Sequence, residues 1–350
     1  MVKLIPEKVQ AEWPAPNFVN PVTRGNYLLV ISLCFTITTI LIITGRFYVR
    51  LGILRTLYID DIFIGIAFVC NLGLCVAAVH AQYVGWDRHQ WDQRPEWFET
   101  NELHMWIIQL LFVLIMTFAK LSSLFLYRRV ICATSNEAYK KFVLVTIAVV
   151  AGWGIAFFVA TLFSCWPIQK YWESRTGEEC TDEGTRILAA TVTNIVTDLI
   201  VVLMPVGAIW RMNRALREKL ILIVLVSLGL VACVASIVRG ASMAMALEES
   251  DDTWVGGPVF AWIVVECNLA IICISVPALR PLARKYLPAT YNNSGSRGTG
   301  TGGSMRLDSR KVRDRNRRHS EPLGSSDELD EDLERALDAS KSSVTVTVMG

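Results

Sequence analysis

Long apolar runs alternate with short polar, charged segments through most of the chain. Windows at 26–45, 61–83, 103–127, 142–164, 187–210, 219–247 and 258–280 each hold about 20 or more mainly apolar positions, enough for an α-helix to cross a hydrocarbon layer. The pattern predicts an all-α fold, a seven-transmembrane helix bundle over residues 25–288. A short segment, 1–24, precedes it, and a polar tail, 289–350, follows. The first, second and fourth windows are nearly free of charge. Each of the others carries one ionisable residue in its interior: Lys120, Asp198, Arg239 and Glu266.

Composition agrees with the pattern. Of 350 residues 53% are hydrophobic, and the mean hydropathy of +0.40 is too high for a soluble protein with a single core. The formal net charge is only +2, which gives no field directed at nucleic acid. Met1 to Arg24 contains Pro6, Pro14, Pro16 and Pro21 and no apolar core. It is not expected to be a cleaved leader, and the first apolar run is expected to serve as the insertion signal.

Alternate loops carry unequal numbers of Lys and Arg, 11 on one side against 8 on the other before the basic tail is counted. Basic loops stay cytosolic. The expected orientation therefore puts the amino terminus outside and the carboxyl terminus inside, in a multi-pass protein expected in the plasma membrane, with an endomembrane as the alternative. Segment 1–24 is then extracellular and the tail 289–350 cytosolic and disordered.

Asp60 and Asp61 open the second window at its cytosolic end. A carboxylate there is favoured by the free N–H groups and the dipole of the helix, by about 0.3–1 kcal/mol. Adjacent helical positions diverge by about 100°, so one aspartate is expected to cap the helix or face water. The other is expected to meet the third helix, where Lys120 can extend its stem toward the interface and reach Asp61.

Arg239 and Glu266 both lie roughly 12 Å inside the outer edge of consecutive helices, which predicts that they pair. Asp198 shares a polar face with Asn194 and Thr191, turned inward. A charge left unpaired at such depth costs about 2.5–3.5 kcal/mol on insertion scales. Asp198, Asn194, Arg239 and Glu266 thus form a candidate intramembrane network.

Of nine cysteines, only Cys165 and Cys180 flank an outer loop, CWPIQKYWESRTGEEC, in an oxidising compartment. A disulfide is expected between them. Enzymatic chemistry has little to build on, because a zinc hydrolase needs clustered His and carboxylate ligands. The chain has four histidines, of which His80 and His104 are the two that can converge near the outside. The seventh window has no lysine to form a retinal Schiff base, so no cofactor is expected. Outer tryptophans such as Trp86, Trp91, Trp97 and Trp254 suit an interfacial belt. Alternatively, they suit an aromatic vestibule for a small amphipathic or cationic ligand.

The pieces GRFYVR, DD at 60–61, GWDRHQWD, KLSSLFLYRRV, CWP with YW and C, TDLIVVLMP and VECNLAIICISVPALRPL occur in this order. Together they resemble the fungal rhodopsin-domain integral membrane proteins, over about residues 22–288. That resemblance implies a receptor-like protein that senses an extracellular ligand or surface cue and signals to cytosolic partners, a heterotrimeric G protein among them. Many receptor-like members carry a cysteine-rich module before the first helix, whereas Met1 to Arg24 has no cysteine. The alternative is a transporter, or a transport-associated protein, that uses the Asp198, Arg239 and Glu266 network for a proton or small ion.

The tail begins with a Gly/Ser-rich linker, followed by a basic run suited to anionic lipid and then an acidic stretch. Within RRHSEP, Ser320 has the surroundings of a basophilic phosphorylation site and of a 14-3-3 ligand. The sequon at Asn292 is expected on the cytosolic side, away from glycosylation.

Overall fold

A computed structural model of the chain describes residues 13–130, 137–173, 180–211, 216–279 and 281–282. The tail with Ser320 and the sequon at Asn292 lie outside these residues. Among the described residues seven helices are long and apolar enough to cross a membrane. They are α1 (Tyr27–Phe47), α2 (Ile59–Ala81), α3 (Phe98–Val130), α4 (Glu137–Leu162), α5 (Glu183–Arg211), α6 (Leu216–Glu248) and α7 (Asp252–Ser275). Among the described residues there is no β-strand, only two isolated bridges. Most of these helices extend beyond the apolar windows by one or two turns. Once started, a helix adds one backbone bond per residue and stops where the chain must turn, not where apolarity ends.

Consecutive helices pack closely against each other except α4 and α5, α1 also packs against α7, and α3 and α7 are the innermost. In both, 61% of the apolar window is buried, against 22% in α1 and α4. The peripheral helices turn large apolar side chains outward, among them Leu41 on α1, Val69 and Val76 on α2 and Ile155 on α4, all at least 67% exposed. Such a surface is stable only against lipid. The chain is a multi-pass membrane protein.

The two ends of the bundle differ in chemistry. At one, Cys165 and Cys180 are joined by a disulfide that ties the α4–α5 connection, and Thr181 N donates to Ser164 O beside it at 2.8 Å. At the other, α1 widens into a π-helical turn, Tyr48–Leu54, that ends at Arg55 in the left-handed region with φ 51°. That turn brings Arg50 beside Arg46, facing the start of α2. We refer to these as the disulfide end and the arginine end.

Candidate functional site

Three polar layers cross the bundle. At the arginine end the paired aspartates that open α2 share Arg46 and Arg50 and differ in their other partners. Asp61 accepts the backbone N–H of Tyr58 at 3.2 Å, which caps the helix, and also accepts from Arg46 Nε and Arg50 Nε at 3.0 and 3.2 Å. Asp60 accepts from Arg129 of α3 at 2.7 Å and from Arg46 Nη2 at 3.0 Å. Arg46 is fully buried and also donates to the Ile274 carbonyl at 3.0 Å, so one guanidinium joins α1, α2 and α7.

Lys120 is not part of this layer. Ser122, two positions along α3, donates to the Asp60 carbonyl at 2.8 Å. Two helical residues turn the side chain by about 200°, so Lys120 faces the opposite way, toward α5. Arg129 is seven residues past Ser122, nearly two whole turns, and returns to the Asp60 face. The expected Asp61–Lys120 contact is replaced by Asp60–Arg129.

The middle layer holds the remaining intramembrane charges. Lys120 Nζ lies 3.1 Å from Asp198 Oδ1 and donates to Asn194 Oδ1 and Thr197 Oγ1 at 2.8 and 2.7 Å. Asn194 uses its Nδ2 to bridge Asp198 Oδ2 and Glu266 Oε1, each at 3.0 Å. Ser236 of α6 donates to the same two carboxylates, at 3.1 and 2.7 Å. Arg239 Nε pairs with Glu266 Oε2, and its guanidinium lies over the Phe112 ring at 4.5 Å. Two cations and two anions thus form one neutral chain across α3, α5, α6 and α7. Between it and the arginine end, Asn268 of α7 accepts from Thr39 at 2.7 Å and from Asn71 at 3.0 Å, which fastens α1 and α2 to α7.

Above the middle layer, toward the disulfide end, lies a cavity enclosing about 800 Å³ of space with its open mouth included. Ile108, Phe112, Val113, Met243, Val259 and Phe260 give it apolar walls. Arg186, Arg239 and Trp86 also line it. Gly256 allows Trp86 this position, since a Cβ there would meet the ring at 2.5 Å. Arg186 donates to Thr161 at 2.7 Å and to Gln109 at 2.8 Å. Behind it, Tyr171 donates to Glu183 at 2.6 Å. Burial, reinforced by the Glu183 charge, pushes the Tyr171 phenol well above its ordinary value of 10.0, so it keeps its proton. A second cavity, on the arginine side of the middle layer, has about 610 Å³ of space with its open mouth included and is lined by Lys120, Ser123, Tyr127 and Asp198 among others.

At the rim, the indoles are not a plain lipid belt. His89 stacks between Trp91 and Trp254, with ring centroids 4.4 and 3.9 Å away, and Arg24 lies over Trp254 at 4.1 Å. Among the described tryptophans, Trp166 is exposed, at 74%. His80 and His104 meet with ring nitrogens 2.8 Å apart. No group of three or more His, Cys, Asp or Glu side chains among the described residues is arranged to hold a metal.

The model of the fungal rhodopsin domain matches residues 45–285. The chain belongs to the fungal rhodopsin domain family. Its helices, the disulfide and all three polar layers fall within or beside that match. A SAT4 family membrane protein of Emericella nidulans is 28% identical over 183 residues, covering 51% of this chain and 45% of the relative. Receptor GIN3 of Arthrobotrys oligospora is 29% identical over 234 residues, covering 65% and 55%. Fugralins biosynthesis cluster protein 2 of Gibberella zeae is 25% identical over 252 residues, covering 70% and 62%. This fungal rhodopsin domain protein spans about half the length of the first two.

Sequence reasoning missed Arg46, Arg50 and Arg129 as partners of the aspartates, because loop arginines were counted only toward orientation. It also missed Thr39, Asn71 and Asn268. Their signal was available as polar side chains inside apolar windows, where each needs a partner.

Proposed function

We propose that this protein is a receptor that takes a small ligand into the cavity at the disulfide end and signals to partners at the arginine end. The observation that carries the reading is the double position of Arg239, which lines the cavity and pairs with Glu266 in the middle layer. A ligand that draws on this guanidinium changes the balance of a network reaching α3, α5, α6 and α7. Polar layers of this kind have few alternative arrangements, so a change at one helix is passed on as a discrete repacking. The receptor name of the Arthrobotrys relative supports the reading.

On this proposal the disulfide end faces outside and the basic arginine end faces the cytosol, in keeping with the distribution of Lys and Arg. A heterotrimeric G protein is the proposed partner of the cytosolic loops, with 14-3-3 at phosphorylated Ser320 as a second. Proximity labelling from the carboxyl-terminal tail tests this. Recovery of G-protein subunits supports signalling, and their absence alongside efficient labelling of other membrane proteins counts against it.

A transport reading is favoured by one observation, the second cavity on the far side of the charged layer. Two cavities separated by titratable groups resemble the two halves of a proton or ion path. Proteoliposomes that acidify or accumulate solute only when they contain the protein support transport over signalling.

A further inference from the structure

Three residues that line the cavity of the disulfide end each carry a buried hydrogen-bond donor with no partner among the described residues: Arg239 Nη2, Arg186 Nε and Trp86 Nε1. Their side chains are at least nine-tenths buried. Each unsatisfied donor in a low-dielectric site costs about 1–3 kcal/mol, more where the group is charged. Three of them on one wall set call for a ligand that brings acceptors.

From this we infer that the cavity binds an amphipathic carboxylate, a molecule with an apolar body and one anionic head. The inference rests on the reading of the cavity as a ligand site. Two of the open donors belong to guanidinium groups, which bind a carboxylate in charge-assisted bonds about twice as strong as neutral ones. A cationic ligand, one of the types that the outer tryptophans suit, meets two arginines instead. Asp252, which also lines the cavity, is already engaged. Arg239 and Arg186 each already have one carboxylate neighbour, Glu266 and Glu183, so a singly charged head fits better than a phosphate dianion. The apolar body has Phe112, Val113, Met243, Val259 and Phe260 to displace water from.

The full chain in nanodiscs, followed by thermal melting, provides the test with decanoate, methyl decanoate and decyltrimethylammonium, all below their micellar concentrations. The expected result is a raised melting midpoint with decanoate alone. Arg186→Gln should weaken decanoate binding at least tenfold, and Ala190→Phe, which narrows the cavity without removing a charge, should abolish it. Equal shifts from the ester or the ammonium compound, or decanoate binding unchanged in both variants, overturn the inference. Decanoate binding without recovery of G-protein subunits leaves this site standing and removes the receptor reading. G-protein recovery with no preference for decanoate does the reverse.

Discussion

Arg239 and Glu266 hold each other across α6 and α7, and Glu266 is also fixed by Asn194 and Ser236. Truncating one partner leaves a buried charge facing hydrocarbon or apolar side chains, a loss of about 3–5 kcal/mol. Arg239→Met and Glu266→Leu should each lower the melting midpoint and folded yield sharply. The double variant Arg239→Met with Glu266→Leu should melt well above the sum of the single losses. Additive losses would mean that the two do not interact.

The division of labour between the adjacent aspartates is a second prediction. Asp60 meets Arg129, and Asp61 caps the helix at Tyr58. A double-mutant cycle between Asp60→Asn and Arg129→Gln should give a coupling of about 0.5–3 kcal/mol, whereas the cycle between Asp61→Asn and Arg129→Gln should give much less. Denaturation of the purified variants measures both, and equal couplings would contradict the assignment.

Lys120 offers the third. Its ammonium pairs with Asp198 and faces away from the start of α2. Lys120→Met should destabilise by about 3–5 kcal/mol, and Asp198→Asn in the same chain should recover part of it. Asp61→Asn should recover none, which the same melting curves would show.

The layout of helices and the depth of the inner charges are legible in the sequence, because bilayer thickness imposes run length and a lone charge in a run must find a partner. Arg239 and Glu266 could be matched by depth alone. Lys120 could not, since its partner depends on rotation about α3, and a difference of two residues moves a side chain to the opposite face. Arg46 reads as a loop arginine because it closes an apolar run. Its burial depends on Asp60, Asp61 and the Ile274 carbonyl converging from two other helices. The cavity and its open donors depend on where Gly256 lets Trp86 settle, which no pattern of polar and apolar residues encodes.

Alkaline pH provides the fourth prediction. The Tyr171 phenol titrates above its unfolded value of 10.0, so its contribution is complete below that value and is lost as pH rises beyond it. Tyr171→Phe removes both the hydrogen bond to Glu183 and this dependence. Between about pH 10 and 12 the wild type should therefore lose stability faster than Tyr171→Phe. Parallel melting curves over that range would contradict the assignment.

The central claim is that occupancy of the cavity is conveyed through Arg239 and Glu266 to the arginine end. Pulsed electron-spin distance measurement in nanodiscs, with labels at Leu57 and Ile223, both exposed, reads that end directly. The account predicts that saturating decanoate shifts the distance distribution in the wild type and leaves it unchanged in the folded Arg239→Met, Glu266→Leu double variant. An unchanged distribution in wild-type protein with decanoate demonstrably bound, or the same shift in the double variant with decanoate bound, would contradict it.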